Sequence, residues 1–596
     1  MEIRRPLRPL ARILKARDKG IDPNLVEAEE RATRLRQQRA YEKRRAEKRL
    51  TLMAVVFGLA FVAVGARMGL VAMAEPAEPP AHGQAAAILS TRANIVDRNG
   101  TILATNLRSA ALYATPQDMA DPQNAVAGLL RIFPDLDKAQ LLRQFTGNRK
   151  FVWVKRKLSP EQHQAILDIG EPGLKIGPRD VRFYPNGAFA AHILGGARFG
   201  DEDVRSAEII GTAGVEFQFD DYLSNPANAE RPLALSIDLT LQAVIKHVLA
   251  GGMARMQAKA GTAVLMEANT GRILSLVSLP DFDPNHRPAP PVSGDPADSP
   301  LFNRAAQGTY ELGSTFKIFT AAQAIESGVA TPDTMINTRG PLVWHTFKIN
   351  DFHDYGARLS LRDVIVHSSN VGAARLAASM GGAAQQAFLR QLGLLDKLPL
   401  ELPEARRALP QYDSRWSEIN TMTISYGQGI AVTPVHLAAA YAAMVNGGLR
   451  VQPTLLNATI PPSEADRVIS ESTSVALRDM LRQVVVRGTA SMGEVAGYEV
   501  GGKTGSADKP NPQGAYYANK VIGTFASAFP MSNPQYVLVV SLDEPKIDVL
   551  GEERRTAGWT AVPVSAEIIR RVAPLLGLRP NAGSETPSVS ILQNNN

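Results

Sequence analysis

The sequence predicts an α+β protein with two folded domains, preceded by a single N-terminal transmembrane helix. A chain of 596 residues is too long for one hydrophobic core, so at least two domains are expected. Residues 51–74 form an apolar stretch near the N-terminus. Within residues 231–578, β-rich runs lie towards both ends with helical patterns between them, which favours one sheet flanked by helices.

The first element, residues 1–50, is a basic tail. It carries 16 Lys and Arg against 8 Asp and Glu, whereas the rest of the chain carries 49 against 50. The excess positive charge therefore lies in the tail, and the nearly neutral remainder argues against nucleic-acid binding. Because basic segments stay on the cytoplasmic side of a membrane, we expect the tail inside and everything after residue 74 outside.

The second element, residues 51–74, contains one charged side chain, that of Arg67. At about 1.5 Å per residue, a helix of this length crosses a hydrocarbon core of roughly 30 Å. Ala72 and Ala74 also match the small-x-small pattern of a signal-peptide cleavage site. A charged lead-in as long as residues 1–50 is too long for a signal peptide, so we expect a permanent single-pass anchor.

The chain contains no cysteine and nine histidines. The missing thiols exclude cysteine catalysis, zinc–thiolate sites and iron–sulfur clusters. The histidines are scattered and include no HxxxH-type pair, so they give little support for a metal site. We expect neither a metal nor a cofactor.

A linker rich in Pro, Ala and Gly follows at residues 75–84. Residues 85–230 mix short apolar runs with turn signals such as Arg98-Asn99-Gly100, which predicts a first α+β domain. Nothing in that domain resembles a catalytic group of residues. We therefore expect a non-catalytic domain here.

Residues 231–578 form the second predicted domain. Asn269-Thr270-Gly271 joins two β-rich runs and predicts a hairpin. Strands from distant parts of the chain should build one sheet, with a helical region beside it. Residues 579–596 are polar and predict a disordered tail. The predicted strands are 232–237, 262–267, 273–279, 523–529 and 536–542, and the clearest helices are 239–256 and 561–572.

The first chemical motif is Ser314-Thr315-Phe316-Lys317, at the start of a predicted helix. Residues three apart lie on one helix face, so the Lys317 amine can reach the Ser314 hydroxyl. A serine hydroxyl is a weak nucleophile that needs a neighbouring base, and a lysine can serve if burial and nearby charge lower its pKa. Alone, this pattern more often marks an ordinary helix N-terminus.

Two further motifs follow in the same domain. Ser368 and Asn370 provide a hydroxyl for proton relay and an amide for a substrate carbonyl. Lys503 and Thr504 can hold a carboxylate, and Gly505 lets a ligand approach the backbone. Each motif alone is weak, because serine, asparagine and glycine are common in turns.

The three motifs in this order resemble the penicillin-binding proteins and the serine β-lactamases. Over most of residues 85–575 the chain resembles the class B, monofunctional penicillin-binding proteins, and within them the division-specific (FtsI-type) transpeptidases. The segments that carry this resemblance are 92–100 (RANIVDRNG), 151–156 (FVWVKR), 182–185 (RFYP), 191–195 (AHILG), 214–216 (GVE), 368–372 (SSNVG), 426–429 (YGQG), 432–434 (VTP) and 487–490 (RGTA).

The resemblance implies an elongated, non-catalytic pedestal of the dimerisation type at residues 85–230 and a penicillin-binding transpeptidase domain at 231–578. It implies acyl transfer from D-Ala-D-Ala stem peptides of peptidoglycan, with β-lactams as covalent inhibitors. Ser314 would be the nucleophile, Lys317 its base and Ser368 the proton relay. Asn370 would orient the substrate amide. The implied carboxylate-binding and oxyanion residues are Lys503, Thr504, Gly505 and Ser506.

Three positions depart from the family pattern. Leu312 stands where relatives usually have Pro, so we expect a less rigid turn before Ser314. Ser506 replaces the usual Thr, and because its expected oxyanion contact is through the backbone, we expect activity to persist with altered β-lactam preference. Ala93 replaces Gly in the pedestal, with no expected effect on chemistry.

The resemblance also implies location and partners. We expect the bacterial cytoplasmic (inner) membrane at the division septum, with the catalytic domain in the periplasm. Expected partners are a membrane-embedded lipid II polymerase of the FtsW type and other divisome proteins. Four alternatives stay open: an elongation-type transpeptidase, a catalytically silent divisome scaffold, a membrane-bound β-lactam sensor and a β-lactamase.

Overall fold

The structure is a computed structural model. It describes residues 92–199, 209–406, 416–458, 461–511 and 515–581, together with 55–66 and isolated positions nearer the N-terminus. Residues 55–66 are helical. Among the described residues, no helix is both long and apolar enough to cross a membrane. The rest of the predicted span (Met53 apart), the predicted linker and nearly all of the predicted basic and C-terminal tails lie outside the described residues.

The first domain contains a sheet in the strand order β3-β2-β1-β7, with β4 also paired to β2. All its strand pairs are antiparallel except β1 with β7, which are parallel. A separate antiparallel hairpin joins β5 and β6. The strands are β1 (Ile95–Val96), β2 (Ile102–Ala114), β3 (Val152–Leu158), β4 (Leu174–Phe183), β5 (Gly196–Phe199), β6 (Ile209–Ala213) and β7 (Leu233–Ala234), and the helices are α1 (Pro122–Ile132), α2 (Lys138–Phe145), α3 (Pro160–Leu167), α4 (Ala191–Leu194), α5 (Gly214–Gln218) and α6 (Asp220–Ser224).

The helices of this domain begin at capping side chains. Asp121 and Asp137 accept the first free N–H groups of α1 and α2. Ser159 and Gln162 form a capping box at α3. Apolar side chains of α1 and α2 then pack against Leu112 and its neighbours on the sheet, in a small core of their own.

A buried ionic network closes the first domain. Arg92 contacts Glu216 at 2.8 Å, and Arg182 contacts the same carboxylate at 2.7 Å. Arg92 also pairs with Asp220 at 2.7 Å. Since a buried charge is tolerated only when it is paired and hydrogen-bonded, these contacts fix the start of the domain to its last helices.

The second domain contains an antiparallel sheet in the order β14-β15-β16-β8-β9. Its strands therefore come from opposite ends of the domain sequence, as predicted. The strands are β8 (Ala260–Glu267), β9 (Ile273–Leu279), β10 (Met335–Asn337), β11 (Leu342–Trp344), β12 (Phe347–Ile349), β13 (Arg358–Ser360), β14 (Gly501–Pro510), β15 (Tyr516–Phe529), β16 (Tyr536–Asp543), β17 (Ile547–Val549) and β18 (Glu552–Arg554).

Helices cover both faces of this sheet, which is why β8, β9 and β16 are nearly continuous apolar runs. Helices α7 and α15 pack together against it, and α13 packs on β8, β15 and β16. The helices are α7 (Leu239–Arg255), α8 (Lys317–Glu326), α9 (Leu361–Val366), α10 (Asn370–Met380), α11 (Gly382–Gln391), α12 (Glu418–Ile424), α13 (Pro434–Val445), α14 (Glu471–Arg487) and α15 (Ala561–Leu575).

Several predicted elements differ from the structure in extent, and β15, predicted at 523–529, begins already at Tyr516. The strand expected at 232–237 is limited to Leu233–Ala234. Beyond it, Leu235 still donates its N–H to Val96, whereas Ser236 donates its N–H to the Leu455 carbonyl on the other side. The helix expected from Ser314 begins with a 3-10 turn, Gly313–Phe316, and becomes α-helical at Lys317.

Candidate active site

Ser314 lies in the 3-10 turn that leads into α8. The Thr315 hydroxyl donates to the Leu312 carbonyl at 2.9 Å, and the buried Tyr441 hydroxyl donates to the Thr315 carbonyl at 2.7 Å. Gly313 has a φ of 55°, which glycine adopts without strain. Side-chain hydrogen bonds therefore hold the turn that follows Leu312.

Lys317 lies one helical turn after Ser314 and is fully buried. Its Nζ lies 2.8 Å from Ser314 Oγ, 3.0 Å from Ser368 Oγ and 2.7 Å from Asn370 Oδ1. It also lies 2.6 Å from the Ser368 carbonyl oxygen. The structure thus joins the first two motifs through one amine.

The environment of Lys317 favours the neutral amine. Burial holds the pKa of Lys317 well below its ordinary value, the positive charge of Lys503 lowers it further, and the carboxylate of Asp351 opposes the shift. A neutral amine has a lone pair, so it can accept the Ser314 proton.

The second motif is held by a side chain that the sequence analysis missed. Asp351 accepts the Ser369 hydroxyl at 2.6 Å and the backbone N–H groups of Asn370 at 2.5 Å and Val371 at 3.0 Å. Ser369 in turn caps α10 by accepting the Gly372 N–H. Ser368 itself has a φ of 65°, in the left-handed region.

The third motif lies on β14, the edge strand beside the Ser314 turn. Lys503 is buried, its Nζ lies 3.0 Å from Ser368 Oγ, and burial lowers its pKa to about 7. Ser368 Oγ therefore lies between two amines, which suits a proton relay. The Thr504 hydroxyl lies 2.7 Å from the Thr489 hydroxyl. The sequence analysis did not identify Thr489 as a contact of the third motif.

The close approach of two backbone segments explains why residue 505 is a glycine. A Cβ atom there would lie 2.1 Å from the Leu312 carbonyl oxygen, so only glycine lets β14 lie against the Ser314 turn. The next residue, Ser506, accepts the Ala557 N–H at 2.9 Å through its hydroxyl. The Ser506 side chain therefore supports the loop before α15.

A further polar group, the Glu311 carboxylate, lies three residues before Ser314 in the chain. The Tyr516 hydroxyl donates to Glu311 at 2.9 and 3.1 Å, and Gly429 donates its N–H to the same carboxylate at 2.8 Å. These bonds connect β15 to the segment that precedes Ser314. No motif in the sequence indicated this contact, because its members are far apart along the chain.

The structure brings all eight predicted site residues to the β14 edge of the sheet. A buried amine lies between two serines and an asparagine, and a second lysine and a threonine lie opposite them. This arrangement can activate a serine and bind a carboxylate beside it, which suits attack on a carbonyl carbon near a carboxylate.

Comparison with known proteins agrees with this chemistry. Residues 87–231 match the penicillin-binding protein dimerisation domain and residues 261–570 match the penicillin-binding protein transpeptidase domain. The chain is 34% identical over 543 residues to the probable peptidoglycan D,D-transpeptidase FtsI of Caulobacter vibrioides, covering 89% of each chain.

Two further relatives cover most of both chains. The peptidoglycan D,D-transpeptidase FtsI of Escherichia coli K12 is 30% identical over 528 residues, or 83% of this chain and 85% of its own. The probable peptidoglycan D,D-transpeptidase PenA of Neisseria gonorrhoeae is 30% identical over 531 residues, or 84% and 88%. With both domain matches in order and this coverage, the chain belongs to the class B penicillin-binding proteins.

Proposed function

We propose that the chain is a serine D,D-transpeptidase that cross-links peptidoglycan stem peptides during septal cell-wall synthesis. The observation that carries this proposal is the position of the buried Lys317 amine, within 3.0 Å of Ser314 Oγ, Ser368 Oγ and Asn370 Oδ1. The names of the relatives, which include peptidoglycan D,D-transpeptidases, support the substrate class.

In the first step, Ser314 Oγ attacks the carbonyl carbon of the penultimate D-alanine while its proton passes to Lys317. The C–N bond to the terminal D-alanine breaks. The proton reaches the leaving nitrogen through Ser368, whose hydroxyl lies 3.0 Å from both lysine amines. The product is an ester of Ser314 and free D-alanine.

Three side chains position the donor peptide. The Asn370 side chain orients the amide, and protonated Lys503 with the Thr504 hydroxyl holds the terminal carboxylate. Backbone N–H groups of Ser314 and Ser506 serve as the oxyanion hole, each worth about 2.7–4 kcal/mol in other enzymes.

In the second step, an amine of another stem peptide attacks the ester carbon. Lys317 takes a proton from that amine, the C–O bond breaks, and Ser314 regains its proton. A β-lactam undergoes only the first step, because its leaving nitrogen stays attached to the acyl group through the opened ring.

The proposal includes a single-pass anchor in the cytoplasmic membrane, with the N-terminus inside and the catalytic domain outside. In the described helix at 55–66, large apolar side chains are exposed: Phe57, Leu59 and Phe61 are 62%, 64% and 74% exposed. An exposed apolar helix that follows a basic tail is typical of a segment that lies in a lipid bilayer. An FtsW-type lipid II polymerase and divisome proteins are the proposed partners.

The test uses the full chain, purified in detergent and incubated with a penicillin, with intact mass followed over hours. We expect one stable adduct per chain and none on Ser314→Ala. An adduct that clears rapidly would instead indicate a β-lactamase, and no adduct on the unsubstituted chain would indicate a silent scaffold.

A second experiment tests the septal role. Depletion of the protein in growing cells should block division and give filaments, with a fluorescent fusion concentrated at midcell. Rounded cells with the fusion along the side wall would support the elongation-type alternative.

A further inference from the structure

A cavity of about 270 Å³ lies between the first and second domains. His192, Gly195 and Gly214 line it from the first domain, and Phe282, Arg287 and Glu404 line it from the second. It adjoins the loop after β9, whereas Ser314 adjoins β14 at the other edge of the sheet. None of the eight predicted site residues is among the residues that line the cavity.

Two opposite charges line this cavity. The carboxyl of Glu404 is largely buried, and it accepts a hydrogen bond from the Asn303 side chain at 3.2 Å. Arg287 lies with its guanidinium 5.0 Å from the Phe282 ring centre and donates one long bond, 3.4 Å, to the Gly195 carbonyl. Arg287 and Glu404 influence each other electrostatically, but these two described residues form no ion pair.

His192 is a further titratable side chain in the lining. His192 lies 2.8 Å from the Pro300 carbonyl oxygen, and burial lowers its pKa to about 4, so it is neutral at pH 7. Burial also raises the pKa of Glu404. The positive groups near His192 are Arg287, Arg304 and Lys246, and Lys246 is paired with Asp281.

The geometry points to a binding site for a small zwitterionic amino acid between the two domains, with its carboxylate on Arg287 and its ammonium on Glu404. An anion without an ammonium group would face the Glu404 carboxylate, and a cation without a carboxylate would face Arg287. Only a molecule with both charges satisfies both walls. The cavity has room for alanine. A water molecule, with one non-hydrogen atom, takes about 30 Å³ of liquid volume, and alanine has six non-hydrogen atoms.

D-alanine is the probe for this site, and that choice rests on the proposed function, which releases D-alanine at each cross-link. A ligand here would contact both domains at once. Its binding would therefore favour the relative placement of the domains that the structure has.

The test measures equilibrium binding of radiolabelled D-alanine to the full chain in detergent, after penicillin has acylated Ser314 so that the active site is blocked. We expect saturable binding that weakens at least about tenfold in both Arg287→Gln and Glu404→Gln, because each removes one charge-assisted contact. D-lactate, which has a hydroxyl in place of the ammonium, should not compete. Glu464→Gln, at an exposed carboxylate, is the matched control.

Three results would overturn the inference: no saturable binding, binding unchanged in both variants, or equal competition by D-lactate. If one variant fails to fold, as thermal unfolding would reveal, the other still decides. The penicillin adduct is measured separately, so failure of this site is distinguishable from failure of the proposed function. If no adduct forms, the binding experiment is run on Ser314→Ala.

Discussion

Asp351 accepts the hydroxyl of Ser369 at 2.6 Å. The same carboxylate accepts the N–H groups of the first two residues of α10, so one side chain fixes both the second motif and the helix that follows it. Its negative charge also opposes the fall in the pKa of Lys317. Asp351 is a positioning residue for the site, 17 residues before Ser368 in the chain.

Replacement of this carboxylate should misplace the second motif. In Asp351→Asn we expect penicillin acylation to slow by about ten- to a hundredfold, because a hydrogen bond to a charged group contributes about 1.5–3 kcal/mol. The falling pKa of Lys317 should move the rising limb of the pH–rate profile to lower pH. Stopped-flow acylation across pH measures both effects. Asp221→Asn, at an exposed carboxylate in the first domain, is the control. An unchanged pH profile with a merely lower melting temperature would show a structural role alone.

The amine of Lys317 should not be replaceable by another cation. In Lys317→Arg the guanidinium stays protonated and cannot accept the Ser314 proton, so we expect acylation to fall by about 10²–10⁴-fold. Intact-mass measurement of the penicillin adduct over time gives the rate. Lys397→Arg, at an exposed position, should leave the rate unchanged. Acylation near the normal rate in Lys317→Arg would assign the base to another group.

The charge of Lys503 should limit the rate of acylation at high pH. Its positive charge is needed to hold a carboxylate, and burial lowers its pKa to about 7. In the free enzyme the charge is therefore lost as pH rises through about 7, and the second-order acylation constant should fall there. In Lys503→Arg the falling limb should move to higher pH, because arginine stays charged. A limb that stays in place in this variant would contradict the assignment.

Gly505 should not tolerate a methyl group. In Gly505→Ala the new Cβ would lie 2.1 Å from the Leu312 carbonyl oxygen and push β14 from the Ser314 turn. We expect a loss of about 1–3 kcal/mol in the free energy of unfolding and slower acylation. Denaturant unfolding and penicillin labelling measure the two effects. Gly251→Ala in α7 is the control: a Cβ there meets nothing within 4 Å, so it should stabilise the helix by about 0.5–1 kcal/mol.

The Ser506 hydroxyl should matter for stability more than for catalysis. It accepts the Ala557 N–H, so Ser506→Ala should cost about 0.5–1.5 kcal/mol in unfolding free energy. Acylation should persist, because the proposed oxyanion contact uses the backbone N–H. Ser506→Thr keeps the hydroxyl and should restore stability. Loss of acylation in Ser506→Ala at unchanged stability would show that the hydroxyl acts on the substrate.

Local pattern was sufficient for several elements. The Asn269-Thr270-Gly271 hairpin between β8 and β9 is present, and α7 begins at the predicted residue. These two predictions are confirmed because turn residues and the hydrophobic period depend on residues close together in the sequence. The strand at 232–237 was predicted too long: β7 is Leu233–Ala234, and Ser236 bonds to Leu455, a contact that lies far away in the sequence.

The sequence by itself determined the order of the two domains, four of the five strands of the second sheet and the positions of the three motifs, since these depend on residue type and short spacing. Only the tertiary structure decided that Asp351 holds Ser369, that Thr489 meets Thr504, and that Arg287 and Glu404 line one cavity. It also decided the low pKa of both lysines. The physical reason is that these properties depend on burial and on contacts between residues distant in the chain.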